Sequence, residues 1–186
     1  MSSLDYKYIA KLVTRAQMGD SDAFAELYAA TYERQYHFAY RYLKDEYLAQ
    51  DALQETYILA LKNLTKIKDP NLVLAWLNQI NFRVCYNLNK KQQQYNMEMT
   101  DYNESSASLL PSSSNNPEDE MVRIDSQEYI MNQILKLPFT EAQVILLKYY
   151  QNMKHDEIAQ LMDISRSSVK RYLTSGREHL GKVLQQ

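Results

Sequence analysis

Apolar residues recur along most of this chain at intervals of three and four, the period of helices that bury one side. Over residues 73–88 the stripe is Val73, Leu77, Ile80, Val84 and Leu88; near the C-terminus it is Val169, Leu173, Gly176 and Leu180. Between such stripes stand helix breakers and caps. Gly19 is followed by Asp20, Ser21 and Asp22, Asp45 precedes a long helix, and Asp69-Pro70-Asn71 interrupts the chain. The pattern predicts helices over 4–18, 23–43, 45–64 and 73–91, then over 124–136, 140–150, 156–162 and 166–180. Thr140 and Gln143 stand at capping-box spacing for the second of the later four. Between the two sets, residues 96–122 are rich in Ser, Asn, Asp and Glu with two prolines and little periodicity, which predicts a linker. The expected fold is all-α: two small helical domains, 1–95 and 123–186, joined by a flexible acidic linker, 96–122.

The last two predicted helices are separated by about three residues, the spacing of a helix-turn-helix over 157–176. Asp163 tolerates a left-handed turn, Ile164 can pack inward, and Ser165 can cap the next helix. With its apolar stripe turned inward, that helix presents Arg166, Ser167, Ser168, Lys170, Arg171, Thr174 and Arg177. From Ser165 to Lys182 five basic residues meet one acid, a surface suited to a phosphate-lined major groove. A charged outer face alone favours a solvated surface helix; the tight turn and the serine cap shift the balance to DNA.

Composition changes the picture in one respect. The net charge of −2 argues against a nucleic-acid binder, but its distribution does not. Residues 1–95 hold 12 basic and 10 acidic side chains, 96–122 none and six, and 123–186 nine and seven. The acidity belongs to the linker. No apolar run approaches a membrane span, and the N-terminus lacks the order of a signal peptide, so a cytoplasmic protein without membrane insertion is expected. A single cysteine, Cys85, and three scattered histidines give neither disulfide nor zinc spacing, and no metal or cofactor is expected. Neither a nucleophile with base and orienting group nor a glycine-rich phosphate loop is recognisable, which argues against an enzyme.

Two further constellations stand on the first domain. Asp51, Gln54 and Glu55 share one side of the third helix. On the fourth, Trp76, Gln79, Phe82, Arg83, Asn87, Lys90 and Lys91 lie off the apolar stripe, a mixture of rings, amides and cations suited to single-stranded nucleic acid. By pattern alone a solvated face is the better reading of the first, and Trp76 and Phe82 equally fit a core. The tyrosines and phenylalanines crowding 24–42 read as core and rim packing.

The order of short motifs narrows the choice: F-x-x-L-Y from Phe24, A-x-D-x-x-Q-E-T-Y from Ala49, W-L-x-x-I from Trp76, a polar linker, Leu137-Pro138, E-I-A from Glu157, and I-S-x-S-S-V-K-x-Y-L from Ile164. Each is modest; their order and separation resemble a bacterial RNA polymerase sigma factor of the extracytoplasmic-function type, across nearly the whole chain. That resemblance implies a non-enzymatic promoter-specificity subunit with two helical domains, regions 2 and 4. It implies docking on the β′ coiled coil of core RNA polymerase through Asp51, Leu53, Gln54, Glu55 and Tyr57. It implies opening and holding of the −10 element by Lys68, Asn71, Trp76, Gln79, Arg83, Asn87, Lys90 and Lys91, and reading of the −35 element by Arg166 to Arg177. The outer face of the 140–150 helix would meet the β flap, the acidic linker would thread the RNA path, and an anti-sigma factor is a further possible partner. The chain departs from the family pattern at Asn81 and Arg83, where A-x-N is usual, at Lys154 and Asp163, and at Ser175-Gly176, where arginine-alanine is common. Two rival classes stay open: a conventional helix-turn-helix regulator, which would shift operator DNA alone, and a helical adaptor, which would bind polymerase without starting transcripts.

Overall fold

The computed structural model describes residues 5–102 and 129–184. The described residues are helical with no strand, and the chain divides into two compact units, Met1–Glu98 and Met99–Gln186.

In the first unit, aspartates set the helix starts. Asp5 caps α1 (Tyr6–Gln17), Asp20 caps α2 (Ser21–Leu43) and Asp45 caps α3 (Glu46–Asn63), each carboxylate accepting from backbone N–H groups of the first turn. The helices α1 and α2 are separated by Gly19, whose φ of 93° suits a residue without Cβ. Asp69 holds a short turn, Pro70–Leu72, that leads into α4 (Val73–Tyr102). Thus α4 runs past the expected boundary at residue 95 and into the stretch read as linker. Residues 92–102 contain neither Gly nor Pro, so nothing local stops the helix there. The rest of that linker, 103–122, and the start of the helix expected over 124–136 lie outside the described residues.

The core of this unit gathers Ile9, Leu12 and Val13 of α1, Leu27 of α2, Leu53, Tyr57 and Ala60 of α3, and Val73, Leu74 and Leu77 of α4. Beside it runs a buried polar seam between α2 and α4. Gln35 donates to Asn78 Oδ1 at 2.7 Å, while Asn81 donates to the Gln35 carbonyl at 2.8 Å and to Gln35 Oε1 at 3.0 Å. Cys85 closes the seam against Asn81 Oδ1 at 3.3 Å, a buried core residue as expected. Of the two readings left open for Phe82, the core is the one realised: it is 2 % exposed and packs edge-on against Tyr42. The buried face of α4 is wider than its aliphatic stripe because amides pave part of it.

Tyr57 is also internal, its hydroxyl 2.7 Å from Thr31 Oγ1. Burial raises its pKa to about 12, although the Thr31 bond opposes the shift. A folded-state pKa above the unfolded value near 10 contributes stability that is complete below pH 10 and lost as pH climbs through 12. The first unit should therefore lose on the order of 2 kcal/mol across that window from Tyr57. Chemical denaturation at pH 9 and pH 12 checks this: the loss should shrink in Tyr57→Phe.

The second unit comprises α5 (residues 129–135), α6 (Phe139–Ile145), α7 (His155–Met162) and α8 (Arg166–Leu184). The expected capping box at Thr140 and Gln143 is absent. The cap lies two residues earlier, at Pro138, which makes no side-chain bond, and Gln143 is buried. From Leu146 to Tyr150 α6 continues as a widened π turn, ending before Asn152 in a left-handed conformation. Ala142, Val144, Ile145, Ile158, Val169 and Leu173 form the centre of this unit.

Candidate polymerase and nucleic-acid interfaces

The helix-turn-helix is built as its residues require. Glu157 accepts from the backbone N–H of Lys154 at 2.7 Å, half of a capping box; lysine has no acceptor with which to complete it. The helix α7 ends on Asp163 in the left-handed region (φ 53°, ψ 46°), and Ile164 N–H reaches back to Ala159 O at 3.0 Å. Ser165 then accepts from Ser168 N–H at 3.1 Å, and its hydroxyl lies 2.7 and 2.9 Å from those of Ser167 and Ser168. The first turn of α8 is thereby fixed. Val169 and Leu173 seat it inward, and Arg166, Ser167, Lys170, Arg171, Thr174 and Arg177 are exposed, with Ser168 half-buried. Arg166 Nε is 3.3 Å from Asp156 across the turn, and Arg177 donates to Leu173 O. The Arg171 guanidinium stands 5.1 Å from the Tyr172 ring centroid. All seven expected residues thus lie on one helix, with the four cations among them exposed, a surface for a polyanion.

On α3, Asp51, Gln54 and Glu55 are exposed, but Leu53 (3 %) and Tyr57 (6 %) face the core. These two cannot offer contact surface; they hold the exposed three from beneath. Pattern reading missed Ile58 and Leu61 on the same helix, which are 53 % and 58 % exposed. They sit four and seven residues beyond Gln54, hence on its side of the helix. Next to α3, α2 carries tyrosines at four-residue steps, Tyr28, Tyr32, Tyr36 and Tyr40, with neighbouring ring centroids 5.4, 6.3 and 6.2 Å apart. Tyr28 joins them to α3 by lying against Tyr57 at 4.6 Å. An excess of tyrosine was the available signal; that the rings form one ladder required the structure.

On α4, Arg83, Asn87, Lys90 and Lys91 are exposed, and Trp76 and Gln79 are half-buried, Trp76 packing against the core. Their three- and four-residue spacings put Trp76, Gln79, Arg83, Asn87 and Lys90 on one side of the helix. Lys68 and Asn71 are exposed at its entrance, where Asn71 binds Asp69 at 2.8 Å. Asn81, at the departure from the A-x-N pattern, is fully buried and committed to Gln35. It presents nothing to a base.

Among the described residues no three His, Cys, Asp or Glu side chains gather to hold a metal, and no helix is long and apolar enough to cross a membrane. Two helical units, one ending in a basic helix-turn-helix and the other carrying a ring-and-cation face, define a DNA-reading transcription protein. Comparison with known proteins gives the family. Residues 27–95 match Sigma-70 region 2 and residues 127–180 match Sigma-70, region 4. The ECF RNA polymerase sigma factor SigW of Bacillus subtilis is 30% identical, over 95% of this chain and 96% of its own. RNA polymerase sigma factor YlaC of the same organism is 25% identical over 89% of this chain and 94% of its own. Among solved structures, CnrH in complex with the cytosolic domain of CnrY covers 96% of this chain and 97% of its own, with a TM-score of 0.58 at 19% identity. RpoE of Bartonella quintana in complex with the anti-sigma factor NepR covers 87% and 96%, with a TM-score of 0.53 at 15% identity; both show a shared fold. The chain belongs to the sigma-70 family, as a sigma factor of the extracytoplasmic-function type. It binds core RNA polymerase and directs transcription initiation.

Proposed function

We propose a division of that work among the three faces. The α3 face, Asp51, Gln54 and Glu55 with Ile58 and Leu61, docks on the β′ coiled coil of core polymerase. Acids and amides beside two exposed aliphatic side chains fit a basic, amphipathic helical partner. The α4 face, with Lys68 and Asn71 at its entrance and Trp76, Gln79, Arg83, Asn87, Lys90 and Lys91 along it, holds the opened −10 strand, cations on phosphates and the ring edge under a base. The α8 face reads the −35 element through Arg166, Ser167, Ser168, Lys170, Arg171, Thr174 and Arg177. Residues 1–95 thus act as region 2 and 123–186 as region 4, and the outer face of α6 meets the β flap. The site of action is the cytoplasm, where the polymerase works. An anti-sigma partner, of the kind seen with the similarly folded sigma factor RpoE, would silence the chain by covering these faces.

The observation that carries this reading is the basic outer face of α8 on a turn closed by Asp163 and Ser165. The docking half is tested separately. Gln54→Ala with Glu55→Ala should weaken core affinity by roughly tenfold, the scale of two moderate interface contacts. Titration of labelled protein with core polymerase measures it. Unchanged affinity would reduce the α3 face to a solvated surface.

A further inference from the structure

The helices α8 and α6 approach so closely at Gly176 that a Cβ there would stand 2.6 Å from Ile145 Cδ1 and 3.4 Å from Glu141 Cβ. On either side of this contact, Ser175 and His179 turn to one carboxylate. The Ser175 hydroxyl donates to Glu141 Oε1 at 2.8 Å, and His179 Nδ1 lies 2.7 Å from Oε2. A carboxylate only accepts, so Nδ1 carries the hydrogen. Glu141 is 8 % exposed and belongs to α6, so both oxygens of a buried acid end on the reading helix, one turn apart.

The neighbours of this clamp are reading residues. Thr174 adjoins Ser175, and Arg171 stands one turn before it. Apolar packing by Val169 and Leu173 sets how near α8 lies to its unit but resists rotation about the helix axis only weakly. A carboxylate gripping two side chains on one edge resists it directly, because directional, charge-assisted bonds are lost when the helix rolls. The departure from arginine-alanine at Ser175-Gly176 has the same sense. A hydroxyl that ties to α6 and a glycine that admits the close approach stand where a cation would otherwise extend the basic face.

Resting on the −35 reading proposed above, we infer that Glu141 is a positioning residue: through Ser175 and His179 it sets the roll of α8 and so the base edges that Arg171 and Thr174 reach. The test uses bacterial core polymerase with the full chain, selecting on duplex DNA that carries a randomised segment, with the retained DNA sequenced. Glu141→Ala, Ser175→Ala and His179→Ala should each flatten the preference at the bases read by α8, Glu141→Ala by at least about threefold, a fraction of what one mismatched base pair costs. Adding Ser175→Ala and His179→Ala to Glu141→Ala should cause no further loss, since all three remove one clamp. Glu141→Gln should restore most of the preference, its amide oxygen accepting from Ser175 and its NH₂ donating to His179 Nδ1 in the tautomer that carries its hydrogen on Nε2. Destabilisation alone lowers retention of every sequence alike and leaves the ranking intact, and Ser175→Ala and His179→Ala, at the helix edge, carry the test if Glu141→Ala folds poorly. Unchanged preferences in all variants, or losses that multiply as for independent residues, would overturn the positioning role. Unchanged preferences in Arg171→Ala would overturn the −35 reading beneath it.

Discussion

Arg171→Ala should lower initiation at promoters that depend on a −35 element by roughly 5- to 150-fold, the cost of one bidentate base contact at about 1–3 kcal/mol. Arg171 is exposed on α8, its guanidinium lying near the Tyr172 ring rather than spent on an internal carboxylate. Its neighbours on the face are less free: Arg166 is near Asp156 and Arg177 donates to the helix backbone. Core affinity should not change, because Arg171 lies on α8, apart from both surfaces proposed to meet core polymerase, the α3 face and the outer face of α6. Initiation measured at saturating core separates the two. Equal loss of core binding and initiation would refute the division of labour.

The second large effect is on stability. Asn81→Ala should cost the first unit about 3 kcal/mol, because it opens a cavity and strands the Gln35 side-chain oxygen in a dry interior. For a unit of this size that is a fall of roughly 10–20 °C in Tm. Adding Gln35→Leu and Asn78→Leu should recover part of the loss, since removing every side chain of a buried polar seam costs less than removing one and leaving its partners unpaired. Thermal unfolding of the residue 1–98 signal checks both variants. An unchanged Tm in Asn81→Ala would mean that the amide seam contributes nothing.

That seam also shows where pattern reading stopped. The order of helices was legible because breakers are few and each sits between stripes; Asp20, Asp45, Asp163 and Ser165 occupy their expected caps and turns. The basic face of α8 was legible because one apolar stripe faces inward and the cations Arg166, Lys170, Arg171 and Arg177 face out. In α4 the rule fails: Asn78 and Asn81 are as buried as the leucines, each paired with Gln35 on a helix far away in sequence. Polar residues with distant partners look like surface residues until the partner is seen. Leu53 and Tyr57 illustrate the converse. A motif marks them as neighbours of a docking face, whereas their own chemistry turns them inward, leaving Ile58 and Leu61 outside. Glu141 was invisible for both reasons, a buried acid whose two partners lie on α8.

As a sigma factor, this chain confers promoter choice on a polymerase that otherwise lacks it. Run-off transcription by bacterial core polymerase on genomic fragments of the source organism, with and without the protein, tests it most directly. Discrete transcripts should appear only with the protein, with common sequence elements near 10 and 35 base pairs upstream of their starts. No protein-dependent transcripts, together with sequence-specific DNA binding by the protein alone, would contradict the claim and make it a conventional regulator.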